Sequence, residues 1–197
     1  MSLLFETIKI QNKKPQNVDY HIKRVRKSRF ELFGLSNCND FMNFLEKFEV
    51  NEDKLFKLKI IYNQNIVDYQ LLDYTIVYKK AMKFFEKPLF DYHFKFLNRN
   101  ELADIEKSLS SEEVGIITKN GYLTDATYAN IVLFDGKNYF TPENCLLEGT
   151  KRQKYIDNGT IATKPIHQEE LVNFKTLHLI NAMIDLGDNL FIDLNPF

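Results

Sequence analysis

Two tight-turn dipeptides, each set between apolar-rich runs, constrain this chain more than any other feature of its sequence. They are Asn120-Gly121 and Asp135-Gly136. Both positions of a two-residue hairpin turn must accept a positive φ, which asparagine, aspartate and glycine tolerate best. A helix start, Gly149-Thr150, follows the second turn. Residues 115–157 are therefore predicted to form two β-hairpins that lead into one helix.

Polar residues in this stretch fall at the predicted ends of its elements; they are Asp125, Asn130, Thr150 and Lys151. The start of the helix would offer unpaired backbone N–H groups, the positive end of the helix dipole and the Thr150 hydroxyl, a combination that suits a phosphate. Glycine followed by a hydroxyl residue is also a common helix start where nothing binds. The motif alone leaves both interpretations open.

The composition is that of a soluble globular protein, with 44% hydrophobic and 27% charged residues in 197. A chain of this length holds one domain or two small ones. The 26 basic and 27 acidic residues give a net charge of −1, which provides no general attraction for nucleic acid or acidic membranes. Neither nucleic acid nor a membrane is therefore an expected partner, and any binding site has to be argued from local features of the sequence.

The cellular compartment follows from the cysteines and the N-terminal segment. Cys38 and Cys145 lie far apart without a partner motif, so both are predicted to be free thiols. The first ten residues already carry charges at Glu6 and Lys9 where a signal peptide needs apolar residues. No segment approaches the roughly 18 apolar residues of a membrane span. A cytoplasmic protein is expected.

The first half of the chain predicts an antiparallel sheet covered by two helices. Phe5–Ile10 has the pattern of a strand, and a helix is expected from its N-cap Asp19 to the stop signal Gly34. Residues 41–48 form a second amphipathic pattern. Phe56–Tyr62 alternates apolar residues with lysines, which is typical of a strand with one wet face.

A boundary between two domains is predicted near residue 85. The stretch 79–88 is irregular and basic, and Pro88 disfavours a helix or a central strand, so a linker is expected there. This division gives a domain of residues 1–85 and a domain of residues 86–197.

Two basic side chains in these domains each allow a functional and an ordinary interpretation. Arg24 shares a helix face with His21 and Ser28, which is either an exposed polar edge or a face that points a guanidinium at a phosphate or carboxylate. Lys95 lies in an alternating, aromatic, predicted strand from Asp91 to Leu97. It is either a solvated strand residue or an amine whose pKa burial lowers, which favours Schiff base formation.

Six segments in chain order resemble the class IV (fold type IV) pyridoxal phosphate enzymes, namely branched-chain aminotransferases, D-amino acid aminotransferases and 4-amino-4-deoxychorismate lyases. The segments are FETIKI, HIKRVRKS, FKFLNRNEL, GYLTDATYANIVLFDGKNYFTP, LLEGTKR and LHLINAM. The resemblance implies a two-domain α+β fold, with a small α/β sandwich domain and a larger pseudo-barrel domain, here shortened at the N-terminus. It also implies pyridoxal 5′-phosphate as cofactor and a homodimer with the active site near the interface.

The resemblance assigns the chemistry of the cofactor ring to two residues. Lys95 matches the catalytic lysine that binds the cofactor covalently and moves the proton at the substrate carbon. Asp125 matches the carboxylate, usually glutamate, that pairs with the pyridine nitrogen. Such a carboxylate keeps the nitrogen protonated so that the ring accepts electrons.

The resemblance assigns the cofactor phosphate to four further residues. Arg24 matches the arginine that binds it, and Thr150 with Lys151 matches the segment at a helix start that surrounds it. Asn181 matches another contact on the phosphate side. An arginine and a helix N-terminus are suited to neutralise a phosphate.

Three departures from the family pattern bear on the substrate and the site. Aspartate at 125 is one methylene shorter than glutamate, and the hydroxyl of the phosphate turn is shifted by one position, to Thr150. The third departure is that the chain is expected to lack the leading segment of larger members. Besides these three departures, no Arg-Gly type loop follows the Phe56–Tyr62 strand. Lys57 and Lys59 are either surface residues or substrate contacts.

The expected function is that of a 4-amino-4-deoxychorismate lyase, which eliminates pyruvate to leave 4-aminobenzoate for folate synthesis. An amino acid aminotransferase of the branched-chain or D-amino acid type is the alternative, because both reactions use Lys95 to remove the proton next to the imine. A non-catalytic module that keeps the cofactor or a partner is a third possibility. The presence of Lys95 argues against this module, since binding alone needs no covalent anchor. No metal ligands are assigned.

Overall fold

Two structural units, each with its own sheet, make up the chain. The computed structural model describes residues 2–194. The first unit comprises Met1–Ile76 and Phe94–Asn98, and the second comprises Val77–His93 and Arg99–Phe197.

The division lies at residue 76, earlier than the predicted boundary at residue 85. The stretch 79–88 is not a linker, because it contains the strand Ala81–Glu86, which pairs in parallel with Glu113–Lys119. The short segment Phe94–Asn98, which holds Lys95, groups with the first unit.

The first unit contains a four-stranded antiparallel sheet in the order β2-β1-β3-β4. Its strands are β1 (Leu4–Gln11), β2 (Lys14–Pro15), β3 (Phe56–Tyr62) and β4 (Ile66–Asp73). In β3 every second residue from Phe56 to Tyr62 is buried, and the residues between them, Lys57, Lys59 and Ile61, are half-buried, as the alternating pattern predicts. Because side chains alternate between the faces of a strand, one face of this sheet forms the core.

Two helices, α1 (Val18–Phe33) and α2 (Asn39–Lys47), supply the other side of this core. Val25, Phe41 and Leu45 are their buried apolar residues, and all three belong to one cluster with the strands. Gly34 ends α1 with a φ of 70°, as predicted. Asp19 is not the N-cap, because that position is Asn17 and Asp19 lies in the first turn. An aspartate there still interacts favourably with the helix dipole.

The second unit contains the larger sheet, in the order β10-β9-β8-β7-β6-β5, with β11 paired to β8 and β12 paired to β11. Its strands are β5 (Ala81–Glu86), β6 (Glu113–Lys119), β7 (Tyr122–Ala126), β8 (Asn130–Phe134), β9 (Tyr139–Pro142), β10 (Ala162–Lys164), β11 (Thr176–Ile180) and β12 (Phe191–Asp193). Its helices are α3 (Asn100–Lys107) and α4 (Thr150–Asp157), and 3-10 turns form at Gln168–Asn173 and Leu186–Asp188.

Both predicted hairpins form. Asn120 and Gly121, with φ values of 52° and 77°, make the predicted two-residue turn between β6 and β7. The turn between β8 and β9 is longer than predicted, because Phe134 pairs with Tyr139, and of Asp135 and Gly136 only Gly136 has a positive φ, of 104°. A Cβ on Gly121 would lie 2.1 Å from His167 Nε2, so close packing also favours glycine there. Both cysteines are free thiols. Within residues 2–194 no helix is long and apolar enough to cross a membrane.

Candidate active site

Arg24 points into the first unit and pairs with a buried carboxylate. Its Nε donates to Glu6 Oε1 at 2.8 Å and its Nη2 donates to Glu6 Oε2 at 2.5 Å. The Arg24 side chain is 12% exposed and that of Glu6 is fully buried. Since His21 and Ser28 are buried on the same helix face, that face is not an exposed polar edge.

His21 completes this cluster from the same helix. Its Nδ1 lies 2.6 Å from Glu6 Oε2. Burial alone would raise the pKa of Glu6, but Arg24 and His21 together lower that pKa to about 2. Burial also lowers the pKa of His21, against the opposing effect of Glu6. At neutral pH the cluster therefore contains an ionised Glu6, a charged Arg24 and a neutral His21.

Lys95 is held against the first strand by its backbone. Phe5 N donates to Lys95 O at 3.0 Å, and Leu97 N donates to Leu3 O at 2.9 Å. The Lys95 Nζ lies 4.6 Å from the centroid of the Phe5 ring, and the residue is half-buried. Its charge contributes to the lowered pKa of His21. Lys95 and the Arg24 cluster are thus neighbours within the first unit.

The strand predicted from Asp91 to Leu97 does not form. The segment meets β1 through a single antiparallel bridge between Leu4 and Phe96, and it is otherwise irregular. Phe94 is buried in the core of the first unit, which accounts for the apolar pattern without a strand. A connection with one bridge places Lys95 beside β1 without extending the sheet.

Asp125 is a buried carboxylate at the end of β7 in the second unit, 5% exposed. Its Oδ1 accepts from Asn130 Nδ2 at 2.7 Å, and its Oδ2 accepts from Leu147 N at 2.9 Å. Burial raises the pKa of Asp125 to about 6, although these hydrogen bonds and the charge of Arg152 oppose the shift. The carboxylate is therefore oriented by these donors and is mostly ionised at neutral pH.

Asn130 links Asp125 to the start of α4. It pairs with Asp125 across β7 and β8, and its Nδ2 also donates to Leu147 O at 2.9 Å. A Cβ on Gly149, the N-cap of α4, would lie 1.9 Å from Asn130 Oδ1. Sequence reasoning placed Asn130 at a strand end but assigned it no role. This role depends on the strand register, which places Asn130 directly opposite Asp125.

The first turn of α4 is buried, with Thr150, Lys151 and Arg152 each no more than 5% exposed. The Lys151 ammonium forms an ion pair with Asp185, which also accepts a hydrogen bond from Tyr155 Oη at 3.1 Å. The Lys151 side chain is therefore engaged within the protein. A contact from this residue to a phosphate would use its backbone N–H, as expected for a helix start.

Arg152 and Asn181 support the loops around α4 and β11. Arg152 Nη2 donates to Pro142 O at 2.9 Å. Asn181 Oδ1 accepts from Met183 N at 2.8 Å and from Ile184 N at 3.1 Å, which fixes the turn after β11. The Asn181 side chain thus holds the backbone of this turn. A contact between Asn181 and a cofactor stays a prediction.

The six predicted site residues fall in both units. Arg24 and Lys95 lie together in the first unit, whereas the second contains Asp125, Thr150, Lys151 and Asn181. The first unit offers an amine and a guanidinium, and the second offers an oriented carboxylate and the N-terminus of an eight-residue helix. Those groups fit the chemistry of pyridoxal phosphate, whose aldehyde, phosphate and pyridine nitrogen need such partners.

Comparison with known proteins identifies the family. The family model described as amino-transferase class IV matches residues 3–187. An uncharacterised protein of Haemophilus influenzae is 31% identical over 185 residues, which are 91% of this chain and 97% of that protein.

Solved structures share the fold. A protein of Haemophilus somnus 129PT, provisionally named a 4-amino-4-deoxychorismate lyase, is 26% identical with a TM-score of 0.83, covering 93% of this chain and 97% of its own. A hypothetical aminotransferase of Mycobacterium tuberculosis in its pyridoxal phosphate-bound form is 15% identical with a TM-score of 0.74, over 92% and 78%. These matches confirm the predicted fold class. The chain therefore belongs to the class IV aminotransferase family and is a pyridoxal phosphate-dependent enzyme.

Proposed function

We propose that this enzyme is a 4-amino-4-deoxychorismate lyase, which eliminates pyruvate from its substrate and leaves 4-aminobenzoate for folate synthesis. The observation that carries the proposal is the similarity to the Haemophilus somnus protein provisionally given that name, at 26% identity and a TM-score of 0.83 over 93% of this chain. The two chains also have nearly the same extent, since 97% of that chain is covered.

The proposed residue roles follow from the contacts in each unit. Bound pyridoxal phosphate supplies an electron sink that makes the proton beside the substrate nitrogen acidic. Lys95 would bind the cofactor covalently and then carry that proton. An amine on a flexible four-carbon chain can do both, because it can hold the cofactor and, once released, reach the substrate proton. Arg24, the N–H groups at Thr150 and Lys151, and Asn181 would hold the phosphate.

Asp125 would hold the proton on the pyridine nitrogen. A carboxylate has about four acceptor positions, so the hydrogen bonds of Asp125 with Asn130 Nδ2 and with the backbone N–H groups of Leu147 and Leu146 leave capacity for one more donor. A pKa of about 6 leaves Asp125 mostly ionised at neutral pH. The hydrogen bonds from Asn130 and Leu147 N hold the carboxylate in one orientation. A fixed carboxylate suits this site, where aspartate replaces the longer glutamate that is usual in the family.

An aminotransferase is the second candidate, favoured by the family model that matches residues 3–187. The two reactions share the removal of the substrate proton by Lys95. They separate afterwards, because a lyase expels a leaving group whereas an aminotransferase returns the proton to the cofactor. Both candidates are consistent with a cytoplasmic homodimer, which we also propose.

A trapping experiment tests the enzyme assignment residue by residue. Wild-type protein with pyridoxal phosphate should give a yellow species that borohydride fixes to Lys95, as located by peptide mass spectrometry. Lys95→Ala should give none. Lys59→Ala is the matched control, because the Lys59 Nζ lies 5.5 Å from the centroid of the same Phe5 ring. Trapping at another lysine, or trapping that survives in Lys95→Ala, would contradict the role of Lys95.

A product assay then separates the two reactions. The lyase should release equal amounts of pyruvate and 4-aminobenzoate from aminodeoxychorismate, with no need for a keto acid. The aminotransferase should instead convert amino acids only when a keto acid acceptor is present. Activity on amino acids with none on aminodeoxychorismate would replace the lyase proposal by its alternative.

A further inference from the structure

We infer that Glu6 and His21 are positioning residues, which set the plane of the Arg24 guanidinium so that it meets the cofactor phosphate in a bidentate geometry. The inference rests on the proposed role of Arg24 in phosphate binding. Neither Glu6 nor His21 would touch the cofactor. They act through Arg24.

The geometry of the pair restricts the guanidinium. Glu6 accepts from Nε at 2.8 Å with one oxygen and from Nη2 at 2.5 Å with the other. Two parallel hydrogen bonds fix both the direction and the plane of an arginine fork. Because the guanidinium is planar and its donors have a fixed geometry, these two bonds also set the directions of its remaining N–H groups.

His21 restricts Glu6 in turn. An ionised carboxylate only accepts hydrogen bonds, so the His21 Nδ1, 2.6 Å from Glu6 Oε2, must carry the proton. His21 Nε2 is buried with no hydrogen-bond partner among residues 2–194. The imidazole therefore makes one directed contact, and that contact is to Glu6.

Stability alone does not explain the cluster. Glu6 and His21 are fully buried, and charged groups lose hydration when buried, so well-packed apolar residues in the same place are often equally or more stable. Neighbouring positions show that the site accepts apolar residues, since Val25 of α1 and Ile8 of β1 are also fully buried. A role in fixing Arg24 accounts for the buried polar groups.

Electrostatics and orientation make opposite predictions for Glu6. Its negative charge reduces the attraction of Arg24 for a phosphate, so a neutral variant would bind more tightly if charge decided the outcome. Loss of orientation would instead weaken binding, because a freed arginine must be immobilised again by the ligand. The inference requires that orientation dominates, by about tenfold in affinity.

The test compares pyridoxal 5′-phosphate with pyridoxal, which lacks the phosphate. The dissociation constant of each is measured by absorbance titration, and their ratio gives the phosphate selectivity. We expect Glu6→Gln to lower this selectivity about tenfold while the affinity for pyridoxal changes less than about twofold. Arg24→Met should lower it at least as much. Val25→Ala, a buried change on the same helix, should leave it unchanged.

A second pair of variants tests the positioning role even if Glu6→Gln does not fold. His21→Asn retains a side-chain N–H close to the position of Nδ1, whereas His21→Leu removes it. The selectivity should fall in His21→Leu and be largely kept in His21→Asn. Equal selectivity in these two variants would overturn the role of His21, and tighter phosphate binding in Glu6→Gln would overturn that of Glu6.

The outcomes also separate this inference from the proposed function. If wild-type protein binds neither aldehyde through Lys95, the enzyme proposal fails and the inference fails with it. If Arg24→Met loses phosphate selectivity while Glu6→Gln and His21→Leu keep it, the phosphate role of Arg24 stands and only the positioning role is overturned.

Discussion

Two buried carboxylates of this protein have pKa values shifted in opposite directions, because different partners surround them. Arg24 and His21 surround Glu6, and its pKa falls to about 2. Asp125 takes its hydrogen bonds from an amide and a backbone N–H, and its pKa rises to about 6. Glu6 is thus stabilised as an ion within the protein. Asp125 would gain most from a cationic partner such as a protonated pyridine nitrogen.

The raised pKa of Asp125 predicts a specific pH dependence of stability. The ordinary value is 3.8 and the folded value is about 6, so between these values the folded protein binds more protons than the unfolded chain. Asp125 therefore favours the folded state most at low pH, and this contribution is lost as pH rises through 6. In the absence of cofactor the loss amounts to about 3 kcal/mol.

Asp125→Asn tests this dependence, since asparagine does not titrate. The unfolding free energy of the variant relative to wild type should rise between pH 4 and pH 7, by up to about 3 kcal/mol. Urea denaturation at a series of pH values measures it. Glu6 and the other titrating groups are common to both proteins and cancel in the difference. A difference that does not change with pH would contradict the raised pKa.

Sequence reasoning located the charged residues of the site but not their partners. Arg24 was recognised as a residue that either faces solvent or binds an anion, yet its partner Glu6 lies 18 residues earlier. That pairing depends on how α1 packs on β1, which no local pattern encodes. The contact of Asn130 with Asp125 likewise depends on strand register. A register becomes fixed only when a whole sheet forms.

At the level of elements, the predictions succeeded where the determining chemistry is local. Both hairpins formed because Asn120, Gly121 and Gly136 adopt the positive φ that their turns require. The strand Ala81–Glu86 was missed because most of its residues are exposed and its pairing is parallel, so no alternation marks it. The run from Asp91 to Leu97 alternates but forms no strand, because packing of its aromatic residues produced the pattern.

The start of α4 provides a prediction at this scale. Gly149→Ala would place a Cβ 1.9 Å from Asn130 Oδ1, which would push the amide away from Asp125. We expect a loss of about 1–3 kcal/mol in unfolding free energy, typical of overpacking. Chemical denaturation measures this loss. Gly187→Ala is the control, because a Cβ there would have no atom of residues 2–194 within 4 Å.

A double-mutant cycle identifies the clashing partner. Asn130→Ala removes the amide that the new Cβ would meet, so Gly149→Ala should cost little in that background. The two changes should therefore be strongly non-additive. Additive losses would mean that Gly149 is needed for its backbone conformation and not for the space beside Asn130.

At the scale of the whole molecule, one edge of the first sheet is exposed and apolar. Every residue of β4 except Ile66 is exposed, and the strand displays Val67, Tyr69, Leu71 and Leu72 at 38–55% exposure. An edge strand presents unpaired backbone groups, and soluble proteins usually protect such edges with charge or cover them. This supports the proposed homodimer, with a second copy of the chain as the cover.

The mass in solution tests this proposal. Wild-type protein should have about twice the chain mass of 23.3 kDa by light scattering after size-exclusion chromatography. Val67→Lys combined with Leu72→Lys should shift the mass toward that of the monomer, because a lysine loses hydration when an interface buries it. Val172→Lys is the control, since Val172 is 78% exposed on a 3-10 turn of the second unit. A dimer that survives the β4 changes would place the interface elsewhere, whereas a monomeric wild type would contradict the homodimer itself.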